Sequence, residues 1–109
     1  MDFKEYQQKS KKTAIYPDSG NNFIYPTLGL AGEAGEVAEK IKKVIRDKGG
    51  KIDGETVQAI KKELGDVLWY VAQLASELGL QLDEIAKENI EKLSSRLKRG
   101  VINGNGDER

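Results

Sequence analysis

Apolar side chains recur every three or four positions through four stretches of the chain and nowhere alternate long enough to make a strand. The pattern predicts an all-α protein. In the first stretch, from about Asp2 to Ala14, Phe3, Tyr6 and Ala14 stand among polar residues, with Asp2 placed to cap the start. The segment "IYPDSGNNFIYP" follows, punctuated by Pro17 and Pro26. It predicts a loop longer than a connection needs, of the kind that often carries function. A second helix is predicted from about Leu28 to Lys48, with Leu30, Ala34, Val37, Ile41, Val44 and Ile45 on one stripe and Gly49-Gly50 to end it. The third, from about Glu55 to Leu78, places Ile60, Leu64, Val67, Val71, Leu74 and Leu78 on its stripe. Leu68, Trp69, Tyr70, Ala72 and Ala75 make it apolar around most of its circumference. A fourth runs from about Asp83 to Arg99 with Leu82, Ile85, Ala86, Ile90, Leu93 and Leu97, and Gly100 lies past its end. Residues 101–109, "VINGNGDER", read as a flexible tail.

A chain of 109 residues has room for one modest core. The expectation is a single small four-helix bundle-like domain. Its third helix is too apolar to be covered by one copy, so the pattern predicts a homodimer or homotetramer.

Charge and composition narrow the chemistry. Lys+Arg 18 against Asp+Glu 18 gives a formal net charge of +0, so no global field steers the chain toward nucleic acid or an anionic membrane. No apolar run is long enough to span a bilayer, and "MDFKEYQQKSKK" lacks the apolar centre of a signal peptide, which predicts a cytoplasmic protein. The chain has neither Cys nor His. Thiolate chemistry, imidazole bases and the usual transition-metal ligands are therefore excluded, leaving carboxylates, hydroxyls, Lys, Arg or a hard metal ion.

Within that restricted alphabet one pattern repeats. "EAGEV", Glu33 to Val37, and "ELGDV", Glu63 to Val67, share acid, any residue, glycine, acid, valine. Helical residues three apart lie roughly 60° from each other around the axis, so Glu33 and Glu36 share one side, as do Glu63 and Asp66. Packing the two stripes together brings four carboxylates to one seam, where ionised they repel. A divalent cation resolves the conflict, and an all-oxygen donor set selects Mg²⁺, with Mn²⁺ as substitute. Mg²⁺ held this way usually keeps waters and meets a substrate phosphate. The competing reading is that acids at this spacing merely solvate a helix and pair with neighbours, as Glu36 with Lys40. The duplicated register favours the metal site. Gly35 and Gly65 interrupt both helices at a cost of about 1 kcal/mol each relative to alanine. The expected reason is close approach of another helix or subunit.

With these residues the sequence resembles the MazG-like members of the all-α nucleoside triphosphate pyrophosphohydrolases, whose motif is Glu-x-x-Glu followed after a gap by Glu-x-x-Asp. Glu33, Glu36, Glu63 and Asp66 match it, and "LGLAGEAGEVAEKIKK", "ELGDVLWYVA" and "ENIEKLSSRLKRG" extend the likeness over most of the chain. The resemblance implies Mg²⁺-dependent hydrolysis between the α and β phosphates of a nucleoside triphosphate, a deoxynucleotide or non-canonical nucleotide in a house-cleaning role, giving a monophosphate and pyrophosphate. Metal ions would neutralise charge and activate water, and the carboxylate least engaged with metal would accept its proton, Glu33 or Glu36 being the candidates. A dUTP-specific relative and a non-catalytic helical dimerisation or adaptor module are the alternatives.

Further contacts are weighed in the same way. Asn89 falls in the apolar stripe of the fourth helix, either as a structural amide or as a substrate contact, the latter matched by an Asn at that place in the family. Lys92 and Arg96 follow at one-turn spacings and are candidates for phosphate, as are Lys40 and Lys43, against the reading that they are solvated helix faces. Arg109 is a candidate to close over the triphosphate. Trp69 is read as an interface residue before a base-stacking one, with Tyr16, Phe23 and Tyr25 as alternative aromatic platforms.

Overall fold

Two long helices joined by a tight turn dominate the chain. In the computed structural model, which describes residues 1–109, α2 spans Ile24–Asp47 and α3 spans Gly54–Glu77, flanked by α1, Phe3–Lys11, and α4, Leu82–Lys98. No strand forms, and no helix is long and apolar enough to cross a membrane.

The local signals that start and stop these helices are mostly visible in the sequence. Asp2 Oδ1 accepts from Glu5 N–H at 2.8 Å and Asp53 Oδ1 accepts from Thr56 N–H at 2.8 Å, each satisfying a donor the helix start leaves free. At the α2 N-terminus the expectation was four residues late. Pro26 sits in the first turn of α2, where its missing N–H has no intrahelical role, and Asn22 Oδ1 accepts from Tyr25 N–H at 3.0 Å. The helix therefore recruits Ile24 and Tyr25 from the predicted loop. Past α3, Gly79 at φ 71° lets the chain reverse, and Leu80 N–H returns to Ala75 O at 2.8 Å.

α2 and α3 pack antiparallel, α2 Gly29 lying against α3 Tyr70 near one end and Val44 beside Thr56 near the other. α1 runs antiparallel along the second half of α3, held by polar contacts rather than by apolar interdigitation. Gln73 Nε2 donates to Ser10 Oγ at 2.8 Å, and Ser10 Oγ donates to Gln7 O at 3.0 Å. Gln7 is the clamp: its Nε2 donates to Ser76 Oγ at 3.0 Å and Leu80 O at 2.9 Å, while its Oε1 accepts from Leu82 N–H at 2.8 Å. One side chain thus ties α1 to the α3–α4 turn and caps α4, whose start lacks a capping side chain of its own.

The expected bundle does not close within one chain. α4 touches α1 and α3 and makes no contact with α2. The radius of gyration is 16.8 Å, against about 13 Å for a compact domain of this length. Buried apolar residues amount to Val44, Ala72, Ala75 and Leu82, whereas Leu28, Ile45, Ile90 and Leu97 are each more than 60 % exposed. The stripes predicted on α2 and α4 exist, but within one copy they are covered only in part: Val44 and Leu82 are buried, while Ile45, Ile90 and Leu97 are left bare.

Replacing Gln7 by Leu leaves the Leu82 N–H and the Leu80 carbonyl without their partner, and should lower stability by about 1–3 kcal/mol. Chemical denaturation of both proteins at matched concentration measures it.

Candidate active site

Each acidic motif rides on one member of the α2–α3 hairpin, and the antiparallel register brings them side by side. Oxygen atoms of Glu33, Glu63 and Asp66 all lie within 4.8 Å of one another. Glu33 and Glu63 are half-buried and Asp66 is exposed, so the cluster opens to solvent on one side. The Glu33 carboxyl is raised above the ordinary carboxylate range, first by the hydrogen bond it shares with Glu63, then by burial, then by the charges of Asp66, Glu63 and Glu36. Glu33 therefore holds its proton more firmly than an isolated glutamate would, through the Glu63 hydrogen bond first, burial next and like charge last.

Glu36 is exposed and stands outside the cluster of three. Lys40, one turn further along α2, reaches Glu63 across the seam at 3.8 Å rather than pairing within its own helix. Lys40 also lines an open groove beside the α2–α3 turn, shared with Lys43, Val44 and Thr56. An ammonium so placed offsets part of the acidic charge.

An aromatic group adjoins the acids. Tyr70 lies over Gly29, where a Cβ would come within 2.1 Å of its ring, so α2 admits this ring only because position 29 has no side chain. Burial, then Tyr25, then the charges of Glu33 and Asp66 push the Tyr70 hydroxyl up. Tyr25 stacks on Tyr16 with centroids 4.8 Å apart and planes at 10°, and the Trp69 ring meets Tyr70 edge-on at 5.0 Å. Trp69 Nε1 donates to Thr13 Oγ1 at 2.8 Å, so the indole is engaged within its own chain. Phe23 is exposed and joins none of these ring pairs.

Glu77 organises the loop that supplies Tyr16. Its carboxylate accepts from the Tyr16 hydroxyl, from Gly20 N–H at 2.8 Å and from Asn22 N–H at 3.0 Å. Burial alone would push the Glu77 carboxyl up; these three donors and Lys11 outweigh it and hold it below the usual range. Burial and the Glu77 hydrogen bond push the Tyr16 hydroxyl up to about 12. The 12–23 loop is therefore pinned to the end of α3.

Three expectations need correction. Beyond their own helices, nothing in the chain comes within 4 Å of a Cβ built at Gly35 or Gly65, so no other helix of this chain makes the expected close approach there; Gly29 is where one does. Asn89 is exposed, because nothing packs over that part of α4, and it lines an open pocket of about 350 Å³ with Lys92 and Asp107. Residues 101–109 do not hang free. Asp107 Oδ1 accepts from both Lys92 and Arg96 at 2.9 Å, and the Arg109 side chain donates to the carbonyls of Val101, Ile102 and Gly106. Arg109 thus folds the tail on itself.

Comparison with known proteins follows the same residues. Residues 26–101, which include both acidic motifs, match the MazG nucleotide pyrophosphohydrolase domain. The chain belongs to the MazG family. Among curated proteins, it is similar to "Gene 37 protein" of Mycobacterium phage L5, 50% identical over 109 residues covering 95% of this chain and 96% of the relative. No solved structure matches it significantly. The MazG assignment makes this a chain of a nucleotide pyrophosphohydrolase family, and three converging carboxylates lie within its matched region.

The approach of Tyr70 to Gly29, next to the acidic cluster, is what motif reasoning missed. Gly29 lies one helical turn before Glu33, on the same face of α2, and that spacing was the available signal.

The raised Glu33 carboxyl fixes the sign of a pH effect. A folded-state pKa above the unfolded value favours the fold in acid, and that contribution is lost as pH rises through the folded value. In metal-free buffer, Glu33→Gln should therefore melt above the wild type at neutral pH, with the gap narrowing toward pH 4. Equal melting temperatures across that range would contradict a repulsive cluster.

Proposed function

We propose that this MazG domain hydrolyses nucleoside triphosphates, deoxynucleotides or non-canonical nucleotides, at the α–β phosphate bond to give a monophosphate and pyrophosphate. The observation that carries the proposal is the convergence of Glu33, Glu63 and Asp66 oxygens within 4.8 Å, in a chain of a pyrophosphohydrolase family.

The donors fit a hard divalent cation. They are all carboxylate oxygens, they repel one another without one, and no His or Cys is present to favour a softer ion. Glu33, Glu63 and Asp66 would hold Mg²⁺, or Mn²⁺ in its place. When bound, the cation neutralises phosphate charge and makes an attacking water more acidic. Glu36 is the carboxylate outside the cluster, and it accepts the water's proton. Tyr70 and Tyr25 offer an aromatic face beside the acids for the base, with Trp69 bracing Tyr70 from its edge.

Phosphate-binding cations come from two places. Lys40 stands beside Glu63 and turns to phosphate once the acids are otherwise neutralised. Asn89, Lys92 and Arg96 lie on α4, which makes no contact with α2 in one chain, so a second copy brings them to the acids. The bare apolar stripes of α2 and α4 supply the contact surface for a homodimer or homotetramer, since exposed apolar surface of this extent drives association.

The test is a panel of ribo- and deoxyribonucleoside triphosphates, dUTP included, with products identified in the presence and absence of Mg²⁺. Monophosphate and pyrophosphate are expected only with metal. Glu63→Gln should lose metal affinity together with activity. Glu36→Gln should lower kcat about 100-fold or more while metal still raises the melting temperature. A chain that binds no metal and turns over nothing would instead be an adaptor module; turnover of dUTP alone would select the narrower specificity. Sedimentation should show a dimer or larger, and Leu97→Glu should shift it toward monomer.

A further inference from the structure

The C-terminal hook, residues 101–109, lies almost entirely beyond the matched domain, and its contacts fall on the two α4 cations best suited to phosphate. Arg96 is 4 % exposed, and such a buried guanidinium needs partners. It finds them in Asp107: Nη2 donates to the main-chain carbonyl and to Oδ1, the latter at 2.9 Å. Lys92 Nζ reaches the same Oδ1 at 2.9 Å. A single oxygen held between an ammonium and a guanidinium one turn apart is the arrangement a phosphate oxygen would take.

The carboxylate that fills this position is the exposed member of the set, with its side chain 73 % accessible against 5 % for that of Arg96. Lys92 and then Arg96 hold its carboxyl down at about 2, so it is an anion at neutral pH. The rest of the hook does not depend on Asp107. Arg109 ties the carbonyls of Val101, Ile102 and Gly106 together, and Arg99 Nη2 donates to Arg109 O at 2.6 Å. Gly100 at φ 73° and Gly104 at φ 140° supply turns that other residues would take with strain, and a Cβ at Gly104 would press on Arg109 at 3.2 Å. Asn89 and Lys92 line the open pocket that Asp107 borders, with Glu88 as the other acid on that rim.

We propose that Lys92 and Arg96 form a polyphosphate-binding subsite that the chain's own Asp107 occupies, so that the hook is a plug which the pyrophosphate moiety of a ligand displaces. The choice of polyphosphate as ligand rests on the hydrolase reading above. Displacement exchanges one carboxylate oxygen for several phosphate oxygens, and the hook returns when pyrophosphate departs. Binding of polyphosphate is weakened by the competition, and release of product is aided by it.

The test uses the full chain and inorganic pyrophosphate in EDTA at low salt, so that neither metal nor turnover enters. Calorimetry gives the affinity, and ¹⁵N resonances of residues 101–109 and of Arg96 Nε report the hook. Asp107→Asn should bind pyrophosphate about tenfold more tightly than wild type, and saturating pyrophosphate should move the wild-type hook resonances. Lys92→Met, at a part-exposed position that does not endanger folding, should weaken binding in both backgrounds. Unchanged affinity in Asp107→Asn, no binding by wild type, or hook resonances unmoved at saturation would each overturn the plug and leave the tail a helix-terminal brace. Nucleotide hydrolysis with an unmoved hook would defeat the plug alone. A displaced hook in a chain that turns over no nucleotide would defeat the hydrolase reading alone.

Discussion

Like charge brought together on the α2–α3 seam is the constraint around which the site is arranged. Three carboxylates converge because two helices of equal length, each with an acid pair in the same register, pack antiparallel. Unrelieved repulsion would splay the pair, and two features oppose that: the hydrogen bond between Glu33 and Glu63, and the Lys40 ammonium across the seam. Both are partial remedies, and they leave the cluster open to solvent on one side.

Polar anchoring elsewhere keeps that hairpin in place with little apolar core to help. Gln7, Ser10 and Gln73 join α1 to α3, and every buried side-chain polar atom finds a partner. Glu77 does the same for the 12–23 loop, delivering Tyr16 to the stack on Tyr25. Polar contacts of this kind are directional, so they set where the aromatic rings stand relative to the acids. Apolar burial, by contrast, is left incomplete: nine of 109 residues are buried, and the largest bare stripes lie on the two helices that do not touch within one chain. The division is consistent with a protomer whose polar framework is internal and whose apolar cohesion is shared with a second copy.

Much of this was legible in the chain itself, and the exceptions have particular causes. The helix starts at Asp2 and Asp53 follow from residues whose side chains cap locally. Pro26 misled because proline is tolerated in a first helical turn as readily as in a loop, and the deciding hydrogen bond comes from Asn22. Gly35 and Gly65 drew attention by sitting inside the motifs. Within the chain, the glycine that another helix approaches is Gly29, distinguished only by the ring of Tyr70, 41 positions away in sequence. Asn89 looked buried because its neighbours are apolar, but an apolar stripe shows which face seeks cover and not whether cover exists within the chain.

By itself, the sequence determined the all-α class, the four helices and the acidic repeat, since these depend on periodicity, capping and side-chain type within a few residues. The tertiary structure alone decided that three of the four acids converge while Glu36 stands aside, that Lys40 crosses to Glu63, and that the tail folds back onto Lys92 and Arg96. Those outcomes turn on the register between helices and on the path of a glycine-rich terminus. Both are set by long-range packing and by the balance of charges brought together in space, which the spacing of residues along the chain does not encode.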